Sequence, residues 1–311
     1  MAHSGRACER ILLVPCSVGA LLHDCSDVIS NVGDWLDPTR SWCAKAERAR
    51  VHIESLREQI DDFRRSNPYT LTPELTDYQD RVAYVLRYHR DVPPSISTTV
   101  GDVLHNLRGA LENLAFELAQ VSHGRALSDK QEASSKFPIC ESPSKFDRVL
   151  HSRLAGLFND RARAALRAVQ PFALLEQAHH LGVAVDQTYE DHFHWDPLHR
   201  LDLLWNIDKH RRLAVMAWWP HFFYWVSDGS SNRRMLQGDG TLANGSVLFY
   251  MEGHDEGISD DVVHEFNLVL KDDPSFPLAT DHTQDVLDTL DQFRRQVADF
   301  VFMNVATIMS R

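Results

Sequence analysis

Lysine is scarce in this chain: the 311 residues include six lysines against 26 arginines, and neither type gathers into a stripe. Double-stranded DNA is held mainly by clustered cations set against phosphate, so general DNA binding is not expected. Long apolar runs are missing too. Even Leu213 to Tyr224 is broken by Pro220 and His221, well short of the roughly eighteen residues a membrane-spanning helix needs, so no span is expected. The five cysteines, at positions 8, 16, 25, 43 and 140, are an odd number without CxxC spacing. They form neither a disulfide framework nor a zinc knuckle, and a cytoplasmic setting is the expectation. GxSxG, HExxH, the P-loop and the dinucleotide glycine fingerprint are all lacking, so no common hydrolase, NTPase or dehydrogenase signature is present and no cofactor is expected.

Acidic charge is plentiful but local. The formal net charge is −12, and between Glu252 and Asp291 twelve acidic residues stand against the single Lys271. Such a segment could dock on a basic surface, in which case binding would weaken as salt rises. The first 41 residues lack regular patterning; Ile11 to Leu22 imitates a secretory apolar region, but Pro15 and Cys16 interrupt it, and a weakly ordered extension is expected over 1–41.

From residue 42 to 311 a single domain is expected, α+β and mainly helical: a helical bundle core over about 42–212, then an antiparallel β-sheet and a closing helix over about 213–311. Ala49, Ile53, Leu56, Ile60 and Phe63 repeat at helical spacing between Ala44 and Arg65. Val82, Tyr84, Leu86 and Tyr88 alternate as in a strand. The strongest element runs from Ser97 to Val121, where Val100, Leu104, Leu107, Leu111, Leu114, Leu118 and Val121 make one apolar stripe. Shorter helices are expected near Phe146 to Leu157 and Asp160 to Val169. Another runs from Pro197 to His210, with Asp196 as N-cap. Strands are expected over Leu213 to Val226, Ser246 to Met251 and Val262 to Leu270, together forming one sheet. Thr283 to Met309 reads as a long amphipathic helix.

Two polar helix faces could carry chemistry. On the central helix, Asp102, His105, Asn106, Gly109 and Asn113 lie away from the leucines, with Arg108 and Glu112 at the edge. An ordinary solvated face would carry Glu, Lys and Arg instead. Gly109 costs about 1 kcal/mol relative to alanine, which points to a close approach there. Read blandly, this face is a hydrogen-bonded seam between two helices. In the second helix His199, Asp202, Asn206 and Lys209 share one face, with His210 beside them. They make an acid/base or anion-binding stripe, unless Lys209 and His210 merely complement the helix dipole. His192, His194 and His199, with Asp191 or Asp196, also offer a metal-ligand set, although seventeen histidines make chance clustering common.

These two stretches, GDVLHNLRGALENLA from Gly101 and LHRLDLLWNIDKHR from Leu198, resemble a group of bacterial proteins of uncharacterised activity. That group shares patterns like GDxLHNLRxALxxLA and NxDKHR. The chain is more distantly similar to HEPN helical bundles, which include RNases and nucleotide-binding proteins. Their nucleases carry an arginine, four to six further residues and then a histidine. Here Arg108 takes the arginine's place, but Asn113 stands where four intervening residues would put the histidine, and no arginine in the chain has a histidine at that spacing. An amide cannot act as general base, so the resemblance implies a binding role more than cleavage.

The reading that follows is a helical binding protein whose polar cleft takes a nucleotide or a short RNA, with Arg108 and Lys209 meeting phosphate. A metal-assisted or HEPN-like hydrolase using the same residues is the alternative, and a protein-interaction module or homo-oligomer the third reading.

Overall fold

A computed structural model describes residues 32–75, 81–173, 176, 196–211, 213–218, 244–252, 266–271, 273 and 285–310. It is mainly helical, with antiparallel β-structure added, as expected. A helical turn at 32–35 precedes α1 (Ser41–Arg65). The strands β1 (Tyr69–Leu75) and β2 (Arg81–Tyr88) lead into the central helix α2 (Pro94–His123), followed by α3 (Asp129–Ser134), α4 (Pro143–His151) and α5 (Asp160–Ala168). Next come α6 (Pro197–His210), β3 (Val215–Trp218), β4 (Val247–Glu252) and β5 (Asn267–Leu270). One continuous rod closes the described chain: α7 (Val286–Arg295), a π-helical stretch (Gln296–Phe302) and α8 (Met303–Met309).

The central helix begins where Pro93 and Pro94 fix the entering backbone and ends at Gly124, whose φ of 61° is the left-handed conformation a C-cap glycine adopts readily. Of its apolar stripe, Val100, Leu104, Leu107, Leu111, Leu114 and Leu118 are buried, while Val121 is 47% exposed and lines an open cavity with Trp35, Arg161 and Met309. The buried face of α1, from Trp42 through Ala49, Ile53, Leu56 and Ile60 to Phe63, packs against it. The two helices run antiparallel: Gln59 Nε2 donates to Thr99 Oγ1 at 3.0 Å, Lys45 lies over Gly109, and Arg40 pairs with Glu117 at 2.6 Å. Each fully buried leucine or isoleucine contributes about 2 kcal/mol, so this interface dominates the core.

The β-structure differs from the single sheet expected. Val247–Glu252 pairs with β2, and β2 with β1, giving the order β1-β2-β4, whereas β3 pairs only with β5 in a separate two-stranded sheet. Pairing across so many residues leaves no local sign in the sequence. β1 carries Pro73 on an outer strand, where a missing backbone donor is tolerated. The helix expected to reach Leu157 stops at His151 and continues as turns. The expected strand residues 219–226 and 262–265, and most of the acidic segment, lie outside the described residues.

Candidate functional site

The two motif segments pack on each other. α6 crosses the central helix in antiparallel sense, with Asp208 against Gly101 and Asp202 against Arg108. Its N-terminus is fixed by Asp196, whose carboxylate accepts from the Leu198 and His199 amides at 2.8 and 3.2 Å, with Pro197 at the first helical position. Leu198, Leu201 and Leu204 are buried, so the polar residues between them are carried to the rim of the α2–α6 seam.

Arg108 is the hub of that seam. Its side chain is only 8% exposed. Nε donates to Asp202 Oδ1 at 3.0 Å, Nη2 donates to the Phe137 carbonyl at 3.1 Å, and Nη1 lies 2.7 Å from Glu112 Oε1 as an ion pair off the hydrogen-bond line. Glu112 Oε2 accepts the Phe137 amide at 3.0 Å, so Arg108 and Glu112 together clamp both polar groups of residue 137. The guanidinium carbon also stands 5.2 Å from the centre of the Trp205 ring. A guanidinium held from three sides by the protein is not offered to a ligand. Arg108, expected to meet phosphate, instead ties α2, α6 and the Phe137 loop together.

The other predicted residues, His199 apart, fall into three groups. Asp202 and Asn206 belong to the Arg108 network: Asn206 Nδ2 donates to the Asp202 carbonyl at 2.8 Å and to Asp202 Oδ2 at 3.3 Å. Asp102 and His105 are exposed on α2, next to half-buried Asn106, whose amide donates to the Asp102 carbonyl at 2.8 Å. Asp208 faces them from α6, and its carboxyl titrates above the ordinary range because burial penalises the charge and the Asp102 carboxylate repels it, with His105 opposing. Third, Lys209 lies exposed with its ammonium 4.1 Å from the Trp205 ring centre, and His210 is exposed in the last turn. His199 is half-buried in the first turn of α6, away from that end.

Both glycines of the central helix admit a charged side chain, each from a different neighbour. At Gly101 a Cβ would stand 2.7 Å from Asp208 Oδ2, and at Gly109 it would stand 3.2 Å from Lys45 Nζ on α1. The open face of α2, holding Asp102, His105, Asn106, Gly109 and Asn113, thus lies between its two neighbouring helices. Lys45 flanks it on the α1 side, and Asp208, Trp205 and Lys209 on the α6 side. Asp208 and Trp205 fall off the stripe drawn through His199 and Lys209; in the sequence Asp208 stands out only as part of the NxDKHR pattern, and Trp205 lies just before it.

Among the described residues no group of three or more His, Cys, Asp and Glu side chains is placed to hold a metal. His192 and His194 of the expected metal set lie outside those residues. A buried pair absent from any sequence reading joins Arg200 to Asp273, with Nε to Oδ1 at 2.9 Å and Nη2 to Oδ2 at 2.6 Å, both residues under 5% exposed. It locks the far side of α6 to residue 273, and Arg200 Nη1 reaches Gln292 on α7 at 3.1 Å.

No protein-family model, curated protein or solved structure matches the chain.

Proposed function

We propose that this protein binds a nucleotide or a short RNA segment along the open polar face of α2, without cleaving it. The observation that carries this reading is the division of labour in the seam: Arg108 is consumed internally, while Asp102, His105, Asn106 and Asp208 converge on one open face with Lys209 beside them. Carboxylates at such a face suit ribose hydroxyls, an amide and an imidazole suit base edges, and an ammonium suits phosphate. A nuclease of the arginine–histidine kind would need its guanidinium free and a histidine near it; here the guanidinium is held and Asn113 stands in the second place. The resemblance to the bacterial group and to HEPN bundles belongs to the same proposal, supported by the way the two motif segments meet through their own residues.

The test is calorimetric titration of the full chain with AMP, ADP and a short single-stranded RNA, repeated on Asp102→Asn and Asp208→Asn. Saturable binding that weakens about tenfold in either variant is expected, the loss of one hydrogen bond to a charged group. No binding at millimolar ligand, or binding indifferent to both variants, would overturn the reading.

A further inference from the structure

Around Trp205 the oxygens of Asp202, Glu112 and Phe137 are taken, while two buried donors are left over. Asp202 Oδ1 accepts from Arg108 and Oδ2 from Asn206; Glu112 Oε2 accepts from the Phe137 amide, and Oε1 pairs with Arg108 Nη1. The Phe137 carbonyl accepts from Arg108 Nη2. Against these stand two unsatisfied buried donors, the Trp205 indole Nε1 and Arg108 Nη1, the latter charge-paired but with no acceptor in line. A third donor, the Lys209 ammonium, lies over the same ring, exposed and joined to no carboxylate among the described residues. Buried N–H groups are nearly always paired, and an orphaned one is destabilising until an acceptor reaches it. Arg108 and Lys209 together match the charges of Asp202 and Glu112, and because Arg108 pairs with both carboxylates, Lys209 is the cation at the ring that is held by neither.

We infer that Trp205 and Lys209 form the subsite for a phosphate oxygen: the oxygen accepts from Trp205 Nε1–H while Lys209 swings off the ring face and pairs with the anion. A long, exposed lysine side chain makes that motion at little cost. This rests on the nucleotide reading of the polar α2 face and orients it. The phosphate end lies at Trp205 and Lys209, which leaves the ribose and base for Asp102 and His105 across on α2, with Asp208 between the two ends.

The experiment follows the indole N–H resonance of Trp205 by NMR in the full ¹⁵N-labelled chain, assigned by its disappearance in Trp205→Phe. The titrants are inorganic phosphate, AMP and adenosine. Phosphate and AMP are expected to move the resonance and adenosine to leave it in place, with Lys209→Gln weakening both active titrants about tenfold. AMP that binds without moving the resonance, or adenosine that moves it as far as AMP does, would overturn the subsite and leave the nucleotide reading standing. Phosphate that moves it while no nucleotide or RNA binds more tightly than phosphate would uphold the subsite and end the nucleotide reading.

Discussion

The carboxylate of Asp208 rests against the backbone of Gly101, so that the two motifs of this chain touch where a glycine leaves room for an acid. Replacing Gly101 by alanine would set a methyl group 2.7 Å from Asp208 Oδ2. The helix gains about 1 kcal/mol from alanine, but displacing the carboxylate costs about 1–3 kcal/mol. A net loss of about 1 kcal/mol is expected in urea denaturation, relieved in the double variant with Asp208→Ala.

Gly109→Ala should behave in the opposite way. There the nearest atom is the end of the flexible Lys45 chain, at 3.2 Å, which can withdraw. The helix-propensity gain of up to about 1 kcal/mol then survives, and a small rise in melting temperature is the expected outcome.

Arg200 and Asp273 should behave as a buried pair that tolerates no half. Asp273→Ala takes the bidentate carboxylate away from a buried guanidinium, with an expected loss of about 3–5 kcal/mol. Arg200→Met with Asp273→Leu removes both charges and should recover much of that loss in the same denaturation assay.

Asp196 gives stability a pH dependence of known sign. Burial raises its carboxyl from 3.8 to about 6, although the Leu198 and His199 amides and Arg200 pull the other way. The folded chain therefore binds this proton more tightly than the unfolded one, and stability from this group increases as pH falls through about 6, levelling near 3.8. Asp196→Asn keeps an N-capping oxygen and removes the titration. Carboxylates shifted downward, such as Asp37 and Glu47, tilt the wild-type curve oppositely. The readout is accordingly the difference between wild type and variant: wild type should gain on the variant as pH drops across that window.

How far the sequence could be read depends on the range of each interaction. The bounds of α6 follow from Asp196 and Pro197, since capping is decided within a few residues, and the helix spans Pro197–His210 as expected. The strand pairing of β2 with β4 depends on residues far apart in the chain and has no local signature. The polar face of α2 was legible as a face, but not which of its edges would be covered. Arg108 is only a short rotation around the helix from His105, yet one lies under α6 and the other in solvent. Likewise Gly109 reads as a point of close approach, while the tighter contact is at Gly101, which only the position of Asp208 reveals. The seven-residue π-helical stretch carries apolar residues at intervals that an ordinary helix would also show.

In the proposed site Arg108 is structural and Lys209 is the ligand's partner. The measurement that decides it is the unfolding free energy together with the AMP dissociation constant for Arg108→Lys and Lys209→Gln, with binding measured well below the melting temperature. A lysine cannot reproduce the forked contacts to Asp202 and the Phe137 carbonyl, so Arg108→Lys should lose about 2 kcal/mol of stability while keeping its affinity. Lys209→Gln should lose less than about 1 kcal/mol and bind about tenfold more weakly. An Arg108→Lys protein that stays as stable as wild type but no longer binds AMP would contradict the account, and would place the guanidinium in the site after all.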